Sequence, residues 1–193
     1  VFLCSPIWGS MSDRVGRRPV IIVSIIISAA SYLVFAHATS LLLLFVSRIL
    51  TGIGSGNIAA AQAYVSDITK PQDRAKRIGL VVGASFGLAF AFGPAIGGSI
   101  YSHFGLEMLG YVATGLCAVN LIGVLIALPE SLLVMDPTRP INFKPIASTF
   151  ASLRDNRFRD IFIIGFVYIT AFSMMNVSIA FLWEQKYGLD VDH

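Results

Sequence analysis

Charge is what this chain has least of. Of its 193 residues only 13% are Asp, Glu, Lys or Arg, while 55% are hydrophobic, and the mean hydropathy is +0.76. A soluble domain carries about 25% charged residues. The shortage excludes an ordinary water-facing surface and makes lipid the solvent. Cysteine is scarce too. Cys4 and Cys117 both sit in apolar runs and read as small buried hydrophobes, which excludes a disulfide framework and a metal pair. No basic stretch precedes VFLCSPIW, so a signal peptide is not expected. Those eight residues cannot cross a bilayer, which takes about 20 in a helix. The start reads as the tail of a helix, and the chain as a piece of a longer protein.

What the chain does have is long apolar runs, at 20–36, 41–65, 78–101, 109–128 and 160–182, five in all and each fit to span as a helix. The loops between them differ sharply in charge. The loop 10–19 holds three Arg, 66–77 holds four Lys or Arg, and 129–159 holds five. The loops 37–40 and 102–108 hold none, and the tail after 182 only Lys186. Twelve of the fourteen basic residues thus fall on alternate loops. This positive-inside pattern places 10–19, 66–77 and 129–159 in the cytoplasm; the chain is expected to be a multi-pass protein of the plasma (inner) membrane. It also explains a net charge of +3 and a pI near 9.0 without a nucleic-acid partner, because the basic residues form no single patch. The fold class is an all-α membrane protein, with membrane lipid as its first partner.

The segment 129–159 is the one long connection. It opens on PES, carries Pro137, Pro140 and Pro145, and then offers Ile146, Phe150, Leu153 and Phe158 as one face of a helix lying on the membrane surface. An ordinary surface helix or a flexible linker fits these residues equally well. On either reading it divides the chain into a bundle over 1–128, a cytoplasmic linker over 129–159, and the first helix of a second bundle with its outer loop over 160–193.

The densest charge lies in GSMSDRVGRRPV, residues 9–20. Asp13 and Arg17 stand four apart, within reach of each other across one turn. Gly9 allows close helix approach, Gly16 permits a tight reversal, and Pro19 suits the first turn of a helix. On composition alone Asp13, Arg14, Arg17 and Arg18 read as anchors that keep a hairpin out of lipid. Their spacing says more. Gly9-x-x-x-Asp13-Arg14-x-Gly16-Arg17-Arg18 resembles the loop signature of the major facilitator superfamily at every position. Arg48-x-x-x-Gly52-x-Gly54 resembles its fourth-helix motif, with Thr51 where a Gln is common. Gly93-Pro94-x-x-Gly97-Gly98 resembles the fifth-helix motif of its antiporters. AYVSDITKPQDRAKRIG and ASFGLAFAFGPAIGG are similar to the drug:proton antiporters, the tetracycline-efflux group above all. The resemblance covers nearly the whole chain.

It implies a partial major facilitator fold, from the end of the second helix to the seventh, with the remaining six helices of the full-length chain as partners. It implies proton-coupled export of small, largely apolar drug-like molecules by alternating access, with multidrug or tetracycline resistance as the outcome. A proton gradient drives the process; no cofactor, metal or covalent chemistry is called for. Two other functions fit the same fold. Uptake symport of sugars or organic anions is one, against which the fifth-helix motif argues. A non-transporting sensor is the other, against which the loop motif and Arg48 argue. Such transporters are built from inverted three-helix repeats. In agreement, Gly98-SIYSHF-Gly105 repeats the glycine spacing of Gly9-SMSDRV-Gly16 without its charges.

Arg48 lies about seven residues inside an apolar helix, where a charge costs about 2.5–3.5 kcal/mol even on the lenient scale. Snorkelling to the outer interface is the plain alternative to a cavity-facing role. No acid lies in the interior of the apolar runs to pair with it. The resemblance implies a titrating carboxylate on the first helix. It also implies a charge relay of Asp13, Arg17 and Asp67 with Arg74 nearby; solvated surface charge is the alternative. Gly79, Gly83, Gly87, Gly93 and Gly97 form a small-residue stripe for helix packing, and Pro94 permits a bend. Asn57 and Gln62 share a helix with Arg48 and are the leading candidates for substrate contact. Asn120, Asn176, Tyr168, Met174 and Met175 are weaker ones, each equally a packing residue. Phe86, Phe90 and Phe92 line an apolar site or face lipid. Trp8, Tyr101, Trp183 and Tyr187 fit interfacial belts. Ser31 stands where the tetracycline exporters carry an acid in the third helix, which leaves the substrate open.

Overall fold

The computed structural model describes residues 4–55, 57–132 and 156–187, where the regular structure is entirely α-helical. Its helices are α1 (Ser5–Val15), α2 (Arg17–Ala36), α3 (Leu41–Gly54), α4 (Asn57–Asp67), α5 (Arg74–Ala127) and α6 (Asn156–Tyr187). The chain divides into two compact units, Val1–Phe143 and Lys144–His193. The first holds α1 to α5 and the second holds α6.

The first unit is organised around α2. Its 20 residues rise about 30 Å, the thickness of a bilayer's hydrocarbon core. Arg17, Val20, Ile21, Ser24, Ile25 and Ser31 are buried along it, at the three- and four-residue steps of one helical face. That face is apolar near α4 and α1, where Val20, Ile21 and Ile25 cluster with Trp8, Ala60 and Tyr64. It is small and hydroxylated opposite α3. There a Cβ on Gly54 would lie 2.5 Å from the Ser28 hydroxyl and 3.0 Å from its backbone nitrogen. The serines fold their hydroxyls back onto their own helices. Ser24 donates to the Ile21 carbonyl at 2.8 Å, Ser28 to Ser24 at 2.9 Å, and Ser47 to Leu44 at 2.7 Å. Two helices can therefore touch through polar residues and leave none of these hydroxyls bare in an apolar interior.

Helix α5 is 54 residues long, too long for one crossing. Its backbone leaves the helical region at one residue, Gly105, with φ 78° and ψ −178°. Residues 78–86 and 120–128 line one cavity, and a Cβ on Gly97 would meet Leu109 at 4.0 Å, so the chain doubles back at this glycine. Its arms are 74–104 and 106–127. The returning arm runs beside α2. A Cβ on Gly110 would sit 2.7 Å from the Ala36 methyl, and the Tyr111 hydroxyl lies 3.1 Å from Nε2 of His37, which ends α2. Gly16, with φ 110°, is the other described glycine at positive φ. The two glycines that end the repeated G-x6-G spacing are thus the two that break the backbone in the conformation an L side chain resists.

Several expectations need correction. The loop 10–19 is helical apart from Gly16, and 102–108 is helical apart from Gly105. The turn 37–40 is as expected, and Ser40 caps α3 by accepting from the Leu43 amide at 3.3 Å. Among the described residues three helical stretches are long and apolar enough to cross a membrane, Arg17–Ala36, Leu41–Asp67 and Arg74–Ala127. The third contains both the 78–101 and 109–128 runs. The run 160–182 falls within α6, part of whose side chains lie outside the described ones, among them Trp183 and Tyr187. Ile146, Phe150 and Leu153 lie outside the described residues. Trp8 is no interfacial residue; it is buried, and its indole donates to the Ile53 carbonyl at 2.7 Å. The helix continues through Pro94. Among the described residues the glycine stripe makes no close approach beyond that of Gly97 to Leu109. A Cβ on Gly79, Gly83, Gly87, Gly93 or Gly98 meets no atom within 4 Å, so the close approaches fall to Gly54 and Gly110.

Gly110→Ala is expected to destabilise the first unit by about 1–3 kcal/mol, because its methyl would meet Ala36 backbone at 2.9 Å. Gly83→Ala should leave stability unchanged or raise it by about 0.5–1 kcal/mol, as alanine does in a helix with open space. Thermal unfolding of the two variants in detergent checks the pair.

Candidate functional site

Where α1 ends and α2 begins, Gly16 turns the chain so that Asp13 and Arg17 face each other across the break. Arg17 NH1 bonds Asp13 Oδ1 at 2.5 Å, and its Nε bonds Asp67 Oδ2, at the end of α4, at 3.0 Å. The same NH1 donates to the Ser12 hydroxyl at 2.6 Å. The Arg17 side chain is 9% exposed, against 20% and 26% for Asp13 and Asp67. A guanidinium so far from water needs paired carboxylates, and breaking such a pair leaves an uncompensated charge. The expected triad of Asp13, Arg17 and Asp67 is therefore assembled. Arg74 stands apart from it and donates to the Thr69 carbonyl at 3.3 Å, closing its own turn.

A fourth member was not anticipated. Glu130, just beyond α5, places Oε1 at 2.9 Å from the Arg17 amide and Oε2 at 3.0 Å from the Arg18 amide. It thereby caps the N-terminus of α2, where helix N–H groups lack partners and the dipole favours an anion. Oε1 also accepts from the amides of Ser131 and Leu132 at 3.0 and 3.1 Å. Burial pushes the Glu130 carboxyl up, but the amides of Leu132, Arg17, Arg18 and Ser131 together outweigh it and hold it below the usual carboxylate range. Ser131 donates to Asp67 Oδ2 at 3.3 Å, and Arg18 donates to the Leu125 carbonyl at 2.7 Å. Four elements, α1, α2, α4 and the end of α5, are drawn into one charged knot. Glu130 carries a signal in sequence after all. An acid just past a helix C-terminus opposes that helix's dipole, so it must serve another element.

Arg48 lies elsewhere. Its guanidinium carbon sits 4.9 Å from the Phe35 ring centroid, a cation–π distance, and no described carboxylate pairs with it. It lines a pocket of 170 Å³ with Tyr32, Phe35, Ser47 and Thr51. Gln62 lies in a different and larger cavity of 620 Å³, together with Asn120, Tyr64, Ser85 and Phe86. Arg48 and Gln62 lie on the one helical stretch Leu41–Asp67, yet they open into separate spaces. The Asn57 and Asn176 side chains lie outside the described ones. Tyr168, Met174 and Met175 are exposed on α6 within their own unit, and Phe90 and Phe92 are exposed on α5. Ser31 is fully buried and its hydroxyl lies 3.0 Å from that of Thr51. The cysteines are free thiols, both half-buried against the core.

Comparison with known proteins agrees with this architecture. The model of the Major Facilitator Superfamily matches residues 1–192. The chain belongs to that superfamily, whose members are membrane transporters and not enzymes. It is 30% identical over 206 residues to the human Major facilitator superfamily domain-containing protein 10, covering 96% of this chain and 44% of that one. It is 42% identical over 97 residues to the class C tetracycline resistance protein of Escherichia coli, covering 50% of this chain and 24% of the relative. Among solved structures it resembles the human organic anion transporter MFSD10 (TETRAN), with a TM-score of 0.76 and 29% identity over 98% of this chain and 48% of that chain. The chain thus spans about half the length, or less, of these relatives. It is a partial major facilitator fold that resembles the tetracycline-efflux group.

Glu130→Gln is expected to lower the melting temperature at neutral pH, since an amide cannot accept on both of its terminal atoms. A depressed carboxyl stabilises the fold fully above the unfolded value of about 4.3 and loses that contribution as pH falls through the folded value. The gap between wild type and variant should therefore close as the pH drops below about 4. Melting curves at several acidities, recorded side by side, check the sign.

Proposed function

We propose that this chain forms most of the first bundle and the start of the second in a proton-coupled secondary transporter that exports small, largely apolar molecules by alternating access across the plasma (inner) membrane. The observation that carries the proposal is the buried Arg17 held between Asp13 and Asp67. A charged tie between the ends of α1, α2 and α4 keeps those ends together while it is intact and frees them when either carboxylate is lost. On this reading the knot lies on the cytoplasmic side, as the basic loops suggest, and closes the carrier to the cytoplasm. Opening requires the tie to break, and the energy comes from proton movement. Arg48 is the coupling residue in the proposal, engaging a carboxylate outside this chain. The likeness to a tetracycline resistance protein supports export of an apolar substrate.

A second substrate class is favoured by one observation. Arg48 is a lone guanidinium in a pocket with Tyr32, and a guanidinium is suited to a carboxylate or sulfonate. The solved relative named as an organic anion transporter points the same way.

Asp13→Asn in the full-length protein is expected to abolish proton-driven efflux of a fluorescent dye from inverted vesicles while membrane insertion is unchanged. Efflux at the wild-type rate would remove the tie from the mechanism. Arg48→Lys should retain part of the activity if charge alone is needed. Should the substrate be an anion gripped by the planar fork, the lysine variant is expected to lose affinity by about tenfold or more, as loss of a charge-assisted bidentate contact does. Initial rates across dye and anion concentrations separate the two.

A further inference from the structure

The packing of α2 on α3 sets an aromatic ring opposite a charge. Across that contact Gly54 packs on Ser28, and the Ser31 and Thr51 hydroxyls lie 3.0 Å apart. The next step of the same register brings Phe35 opposite Arg48. The guanidinium carbon stands over the ring, 4.9 Å from its centroid. An aromatic face attracts a cation within about 6 Å. The neighbours of Arg48 one turn away on α3 are Leu44, Phe45, Thr51 and Gly52, none of them charged. Arg17, Arg18 and Arg74 bond carboxylates, a hydroxyl or carbonyls, whereas the contact Arg48 makes is with a ring. The ring itself is held. Ala36, next in the chain, is 5% exposed, and Gly110 of the returning arm packs on it. His37 follows, with Nδ1 2.9 Å from the Leu33 carbonyl and Nε2 3.1 Å from the Tyr111 hydroxyl. Its ring stands edge-on to that of Tyr111, with centroids 5.6 Å apart. The last turn of α2 is thus fastened to the returning arm, while an arginine side chain has many rotamers open to it. Of the two partners Phe35 is the fixed one.

We propose that Phe35 is a positioning residue for Arg48: its ring fixes the plane of the guanidinium and so presents the N–H edge to a carboxylate or sulfonate that enters the pocket. The proposal rests on the anion reading of Arg48 given above and adds how that anion is gripped. A guanidinium is planar and donates within its plane, while an aromatic ring attracts it through its face. The two contacts therefore use different sides of the group and do not compete. A side chain free to turn has to be ordered at the moment of binding, and a platform already in place removes that penalty. The pocket has 170 Å³, below the about 300–1,000 Å³ of sites that enclose drug-sized molecules. It admits the acidic group of a ligand and leaves the body outside. Leu109 and Ala113 of the returning arm give it an apolar wall.

The test uses the full-length protein in lipid vesicles. Phenylglyoxal, which modifies guanidinium groups, is the reagent, and mass spectrometry of the peptide containing Arg48 gives the rate at that residue. Benzoate is the anionic probe and benzamide its neutral counterpart. Benzoate is expected to slow modification of Arg48, and benzamide to leave it unchanged. Replacing Phe35 by its mono-, di- and trifluorinated analogues drains negative charge from the ring face stepwise and keeps the shape. The concentration of benzoate that halves the rate should rise with each fluorine. Phe35→Leu should raise it by about two- to fivefold, the scale of an exposed cation–π contact. Phe35→Trp, the better platform, should leave it unchanged or lower it. A ring that only fills space predicts otherwise: no trend with fluorine, and harm from the larger indole. If Phe35→Leu fails to fold, the fluorinated rings still decide. Protection that is equal along the fluorine series overturns the proposal and spares the anion reading. Equal protection by benzamide, or none by benzoate, overturns both. An Arg48 closed to phenylglyoxal in every variant does the same, since a site shut to the reagent is shut to benzoate, which is of similar size.

Discussion

Arg17 is the residue on which the first unit converges. It opens α2, and its side chain is nearly excluded from water, so its charge has to be met inside the protein. Asp13 meets it from α1 and Asp67 from α4. Glu130 adds a third carboxylate, which the positive end of α2 and the amides of Arg17 and Arg18 face. Electrostatics thereby fixes one end of the bundle, where the apolar face of α2 gives way to water. Along the rest of α2 the constraint is steric, set by Gly54 against Ser28 and Gly110 against Ala36.

The architecture and the charged cluster were readable to different depths in the sequence. Hydropathy and the alternation of basic loops located the spans to within a few residues, because both signals are summed over many positions. The tie of Asp13, Arg17 and Asp67 was readable through motif spacing. The ends of helices were not. The segments 10–15 and 102–108 look like loops by composition but remain helical, since a single glycine suffices to turn the chain and the neighbours need not unwind. Trp8 was misplaced for a related reason. Its indole suits an interface, yet the Ile53 carbonyl accepts its N–H and lets it be buried.

Candidates on one helical stretch do not share one cavity. Arg48 and Gln62 are fourteen positions apart on what reads as one continuous apolar run. Direction around a helix axis depends on its partners, and the partners of α3 and α4 differ. The glycine stripe at Gly79, Gly83 and Gly87 shows the converse. Spacing announces a packing face, but not which surface will meet it, and among the described residues none comes close to these three.

The turn at Gly105 has a consequence for motion. A connection of many residues has slack, and the helices it joins can drift apart or slide without strain. Here the outgoing and returning arms of α5 share one residue as their only joint. Lengthwise travel of either arm must drag its fellow along, while swinging about the joint stays cheap. The arms are pinched together at that joint, and at their far tips, residues 78–86 and 120–128, only the returning one is tied to α2, through Leu125 and Glu130.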